Sequence, residues 1–174
     1  MSWNHLLKHE LEAAYTATEG LVQLVRDSEL DWKPAAENNW MTVGQLLHHL
    51  TTSTAACFKG FITGDWGMPK DVDAACEGLP PASAMPTVSN CAEALQWLQK
   101  DKEEAFALLA QTSEDDLNSR QVKAPWDPVT AKILGHFLLD MVNHLQQHKY
   151  QLFYYLKLQG KPVNTFTLYG MKEG

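Results

Sequence analysis

The sequence predicts an all-α fold, a bundle of four helices, and three observations carry that prediction. Four stretches repeat apolar residues at three- and four-residue steps, no stretch sustains the alternation of a strand, and the helical stretches carry recognisable start and stop signals. At 174 residues the chain is long enough for one domain, read here as spanning 1–174. Its 45% hydrophobic residues supply a core and rule out intrinsic disorder.

The first helix is expected from Trp3 to Asp27, where Leu7, Leu11, Ala14, Thr18, Leu21 and Val25 form one stripe. A short link through Leu30-Asp-Trp-Lys-Pro34 to Asn39 makes its successor an antiparallel neighbour. The second helix opens at Thr42-Val-Gly-Gln45. There the threonine hydroxyl can accept from the Gln45 N–H while the Gln45 side chain reaches back. Its stripe of Val43, Leu46, Leu47, Leu50, Thr54, Cys57 and Phe61 is expected to run unbroken to Gly64. Residues 63–89 are rich in Gly and Pro and lack periodicity, so they read as a long crossover that sets the third helix parallel to the second. They are also a candidate pocket rim. The third helix is expected from Asn90 to Gln111, with Glu93 three residues after its cap. The fourth is expected to start after Asp127-Pro128, read as N-cap and first-turn proline, and to stop at Gly160. Its seam is Leu134, Leu138, Met141, Leu145, His148, Leu152 and Tyr155.

Charge and composition exclude several function classes. The net charge is −7 and the 14 Lys and Arg are scattered, which disfavours a nucleic-acid partner. No apolar run approaches the ~20 residues that span a bilayer, and polar residues follow the N-terminus too soon for a secretory leader. Cys57, Cys76 and Cys91 form no C-x-x-C pair and read as free thiols in a reducing, cytoplasmic setting. Cys57 reads as a core residue, since no basic neighbour is visible to activate it. The tryptophans read as packing residues, and Glu114-Asp-Asp116 as a solvated turn or helix start.

The seven histidines are the compositional oddity. His144 and His148 stand four apart, so on a helix turning about 100° per residue they lie on one face, one turn apart. Two imidazoles so placed can converge on one metal ion. Both lie toward the apolar seam, whereas His136 falls about 160° away and, like His5 and His9, is expected in solvent. Two adjacent buried imidazoles are costly without partners, and a metal ion supplies one to both. A third ligand is expected from the second helix, which offers His48 and His49. Their directions diverge by about 100°, so only one can face the site. The proximity of His49 to Leu46, Ser53 and Cys57 favours it slightly without deciding. Asp140, Gln147 and Gln151 are candidates to support the ligands, or plain surface residues. Other constellations fail on spacing. Glu-x-x-His pairs, H-E-x-x-H, a nucleophile elbow, a P-loop and a dinucleotide glycine string are all absent.

Three segments in order resemble the DinB-like superfamily: Trp40-Met-Thr-Val-Gly-Gln-Leu-Leu-His-His49-Leu, His144-Leu-Gln-Gln-His148-Lys-Tyr-Gln-Leu152, and Tyr155-Leu-Lys-Leu-Gln-Gly-Lys-Pro162. The resemblance covers about residues 1–163. It implies a four-helix bundle with up-down-down-up topology, often dimeric, holding a divalent metal through one histidine of the second helix and two of the fourth. Carried onto this sequence, the implied ligands are His49, His144 and His148. Tyr150 departs from the usual glycine after the basic residue that follows the last ligand. Some members are S-transferases that use bacillithiol, mycothiol or glutathione, and others resemble the metal-dependent maleylpyruvate isomerase. The expectation is therefore a metal-dependent enzyme with Zn, Ni or Fe, a low-molecular-weight thiol as co-substrate, a small-molecule substrate and a homodimeric state. A metal-dependent hydrolase and a non-catalytic metal- or ligand-binding bundle are the competing classes.

Overall fold

The computed structural model describes residues 2–67 and 81–171, and it is mostly helical. In chain order the elements are α1 (Trp3–Val22), a 3₁₀ turn (Asp27–Glu29), α2 (Val43–Leu50), α3 (Ser53–Thr63) and a second 3₁₀ turn (Ala82–Ala84). Then come α4 (Cys91–Ala110), α5 (Glu114–Ser119), β1 (Gln121–Ala124), β2 (Asp127–Ile133), α6 (Leu134–Leu158) and α7 (Thr165–Leu168). Helix α1 packs on α4 and α6, and α3 packs on the same two, so these four helices close around one core. Leu7, Leu11, Leu21, Leu46, Leu50, Phe58, Leu98, Leu109, Leu138, Leu145 and Leu152 lie in it, each 3% exposed or less. No helix among the described residues is long and apolar enough to cross a membrane.

The start signals act as their residue types require. Thr42 Oγ1 accepts from Gln45 N (3.2 Å) while Gln45 Oε1 accepts from Thr42 N (2.9 Å), closing the capping box of α2. The Gln45 amide nitrogen then donates to the carbonyls of Ala82 and Met85, tying the segment before α4 to α2. Asn90 caps α4 through Glu93 N at 2.8 Å. Helix α3 ends on Gly64 at φ +80°, and the turn after α6 uses Gly160 at φ +76°, the left-handed conformation that glycine adopts without a Cβ penalty.

Four expectations need correction. The first helix stops at Val22 rather than Asp27, although Val25 still reaches the core. The second helix is two helices, because the Thr51 and Thr52 hydroxyls both donate to the His48 carbonyl (3.3 and 2.7 Å) and compete with the helical ladder. The fourth helix opens at Leu134, and residues 121–133, expected in part as helix, form an antiparallel hairpin pairing Gln121 with Ile133 and Lys123 with Ala131. Asp127 caps a turn there instead of a helix: its Oδ1 accepts from Val129 N and Thr130 N at 3.2 and 3.0 Å. Glu114-Asp-Asp116 does start a helix, as one of the two expected options had it. Within the 63–89 segment, residues 68–80, which include Cys76, lie outside the described residues.

Candidate metal centre

Helices α2 and α6 bring three histidines together. His49 sits in the last turn of α2, and His144 and His148 stand one turn apart near the middle of α6. The Nε2 atoms of His49 and His144 are 3.2 Å apart. Ring centroids lie at 4.9 Å (His49–His144), 4.5 Å (His49–His148) and 4.6 Å (His144–His148), each pair steeply inclined. One nitrogen from each ring falls within 4.8 Å of the other two, so the three could hold a metal ion. His48 diverges from its neighbour as the helical turn requires and packs edge-to-face on Trp97 at 5.4 Å. His5, His9 and His136 are exposed, His136 resting against Trp3.

The cluster favours neutral imidazoles. Burial, with the other two histidines of the trio adding to it, pulls His49 down to about 4. Burial, helped by His148, does the same to His144, also to about 4. His148 is lowered by burial too, with its bond to Gln151 opposing the shift. Neutral imidazole is the form that ligates.

A chain of hydrogen bonds sets which nitrogen of His148 carries its proton. It starts at the Met41 carbonyl, which can only accept, so the Tyr155 hydroxyl donates to it (3.1 Å). The Tyr155 oxygen then accepts from Gln151 Nε2 (2.9 Å), which turns Gln151 Oε1 toward the ring. That oxygen accepts from His148 Nδ1 at 3.0 Å. The Nδ1–H tautomer follows, and Nε2 keeps its lone pair on the side facing the other two histidines. Edge-to-face packing on Trp32 at 5.4 Å holds the Tyr155 ring.

The donor set fits a divalent ion. Two nitrogens each about 2.0–2.1 Å from a tetrahedral zinc are about 3.3 Å apart, close to the separation seen here between His49 and His144. Of the expected supporting residues, Gln151 touches His148, one of the three clustered histidines. Asp140 instead pairs with Lys132 at 2.8 Å, and Gln147 is exposed. The sequence places Tyr155 on the seam without a role toward His148 and does not point to the Met41 carbonyl. The signal for Tyr155 is its i, i+4 spacing from Gln151 on the helix; the Met41 carbonyl, from another part of the chain, leaves none. Burial and the nearby Asp101 push the Cys57 thiol up to about 11, which disfavours its thiolate.

A sequence model of the DinB superfamily matches residues 10–152. The fold is similar to a solved DinB-like protein from Bacillus subtilis, with a TM-score of 0.67 at 19% identity, over 94% of this chain and 97% of that one. No curated protein gives a significant match. With most of its length matched by the family, the chain belongs to the DinB superfamily.

Proposed function

We propose that this protein is a divalent-metal-dependent enzyme of the thiol S-transferase type, with His49, His144 and His148 as ligands. The observation that carries the reading is the convergence of three lone-pair-bearing imidazoles, His49 and His144 at 3.2 Å, with the His148 tautomer set from behind by Gln151. No carboxylate joins this cluster among the described residues. Held by these three neutral imidazoles, a divalent ion would supply undiminished positive charge, which would stabilise a thiolate or hydroxide at neutral pH. Zinc, nickel and iron all suit such a donor set. The chain's own part is to hold the three rings in register, keep them neutral through burial, and orient His148 through Gln151 and Tyr155.

The reading includes an up-down-down-up order of the four long helices and a homodimer. The exposed Tyr154 and Leu158, one turn apart on α6, offer apolar surface for such a contact. Light scattering on the purified chain tests the dimer. The activity is tested by following conjugation of bacillithiol, mycothiol or glutathione to a chlorobimane with the metal present and after chelation. Metal-dependent conjugation above the uncatalysed rate is the expected result. A metal-loaded protein inactive with all three thiols overturns the transferase reading and leaves a metal-binding bundle.

A further inference from the structure

A cavity of about 470 Å³ lies between α3 and α4, beside the end of α2. His48 lines it, and none of the three candidate ligands does. Its size is that of a small-ligand pocket. Two half-buried indoles, Trp66 and Trp97, form aromatic walls, and both are braced. Trp97 meets His48 edge-to-face, and Trp66 meets Phe61 at 4.8 Å and Trp126 at 5.5 Å. Trp66 also lies on Gly60, where any Cβ would collide with the indole, so the glycine makes room for that wall.

The charges around the cavity do not cancel. Lys59 is matched by Asp65 at 2.6 Å. Asp101 is buried at the floor with both oxygens engaged, accepting from Tyr15 Oη (2.6 Å) and Ala55 N (3.1 Å). Glu104, one turn beyond on α4, forms no ion pair among the described residues, although its charge is felt by both Asp101 and Lys59, raising the proton affinity of each. Lys100 stands exposed at the rim. Indole walls beside a carboxylate that has no close ion-pair partner are the chemistry that recognises an organic ammonium group, through the ring quadrupole and direct charge attraction.

We propose that the cavity between α3 and α4 is a second binding site, separate from the histidine centre, for a small organic cation held between Trp66 and Trp97 with its charge toward Glu104. The site does not depend on metal at the histidines.

The test is a titration of the full-length chain with choline and with its neutral isostere 3,3-dimethyl-1-butanol, read on the indole N–H resonances. Trp66→Phe and Trp97→Phe variants assign the two signals. Choline is expected to shift both saturably, the neutral alcohol to bind about tenfold more weakly, and Glu104→Gln to weaken choline about tenfold. Glu104 is exposed, so that variant keeps the fold. No saturable shift with choline, an equal response to the neutral isostere, or preferential binding of benzoate would each overturn the proposal.

Discussion

Gln151 does more than its position on a polar helix face suggests. It joins the Tyr155 hydroxyl to the His148 ring, so removing its amide frees the ring to rotate and to change tautomer. Gln151→Ala is therefore expected to weaken metal affinity about 10- to 100-fold, measured by competition with a chelator of known affinity. Tyr155→Phe, which removes only the orienting hydroxyl, should weaken it less, and both variants should keep the circular-dichroism spectrum of the parent. Parental affinity in Gln151→Ala would show that the chain of bonds does not position His148. Proton linkage acts on the other two histidines of the cluster. In the metal-free chain His49 and His144 stay neutral down to about 4, while in the unfolded chain they take up protons from about 6.5 downward. The unfolded state thus binds more protons between those values, and stability present above about pH 6.5 is lost as pH falls toward 4. Asp101, held up to about 6 by burial, opposes this over the acid part of the window with the opposite sign. Chelator-treated protein should have a lower Tm at about pH 5.5 than at about pH 7.5, and the difference should shrink in His49→Ala/His144→Ala. Equal shifts in parent and variant would place the pH sensitivity elsewhere.

Among the elements, carboxylates from elsewhere in the chain cap three helix starts, which gives several of the acidic residues a structural role. Glu114 accepts from Trp3 N (2.6 Å) and Asn4 N (3.0 Å) at the start of α1, and these bonds, against some burial, hold its carboxyl low. Asp27 accepts from Cys91 N (2.7 Å) at the start of α4. Asp101 accepts from Ala55 N in the first turn of α3, whose own Thr52 supplies no side-chain cap. The α2–α3 break is thus stabilised from α4, and His49 sits one turn before it. Asp101→Ala strands the Ala55 N–H and the Tyr15 hydroxyl, and is expected to cost about 2–4 kcal/mol in urea unfolding. Gly135 is the counterpart on α6. A Cβ there would come within 2.6 Å of the Trp3 ring and 2.7 Å of the Leu117 carbonyl, so Gly135→Ala should cost about 1–3 kcal/mol by the same measurement. An unchanged midpoint in either variant would contradict the packing described. These features also mark the limit of legibility. The Thr42 and Asn90 caps are local in sequence and were readable, whereas a cap from a residue 46 or more positions away leaves no local pattern. The hairpin escaped because β2 is mostly exposed, with Val129 84% exposed, so no buried alternation betrays it. Asp127-Pro128 matched a helix start because a capped turn uses the same residues.

For the whole molecule, the periodic helices and the histidine spacing on α6 were legible because both follow from the geometry of a single helix. The choice between His48 and His49 was not. It depends on how α2 is rotated against α6, which long-range packing decides, and the residues of α2 alone left it open. The assembled chain turns His49 toward α6 and His48 toward α4. This packing gathers His49, His144 and His148 around one point, where the proposed metal ion binds. Elemental analysis of the chain purified without a polyhistidine tag tests that binding most directly. About one divalent ion per chain is expected, lost in a folded His144→Ala/His148→Ala variant. Protein that binds no divalent ion when reconstituted, or a double variant that retains a full equivalent, would contradict it.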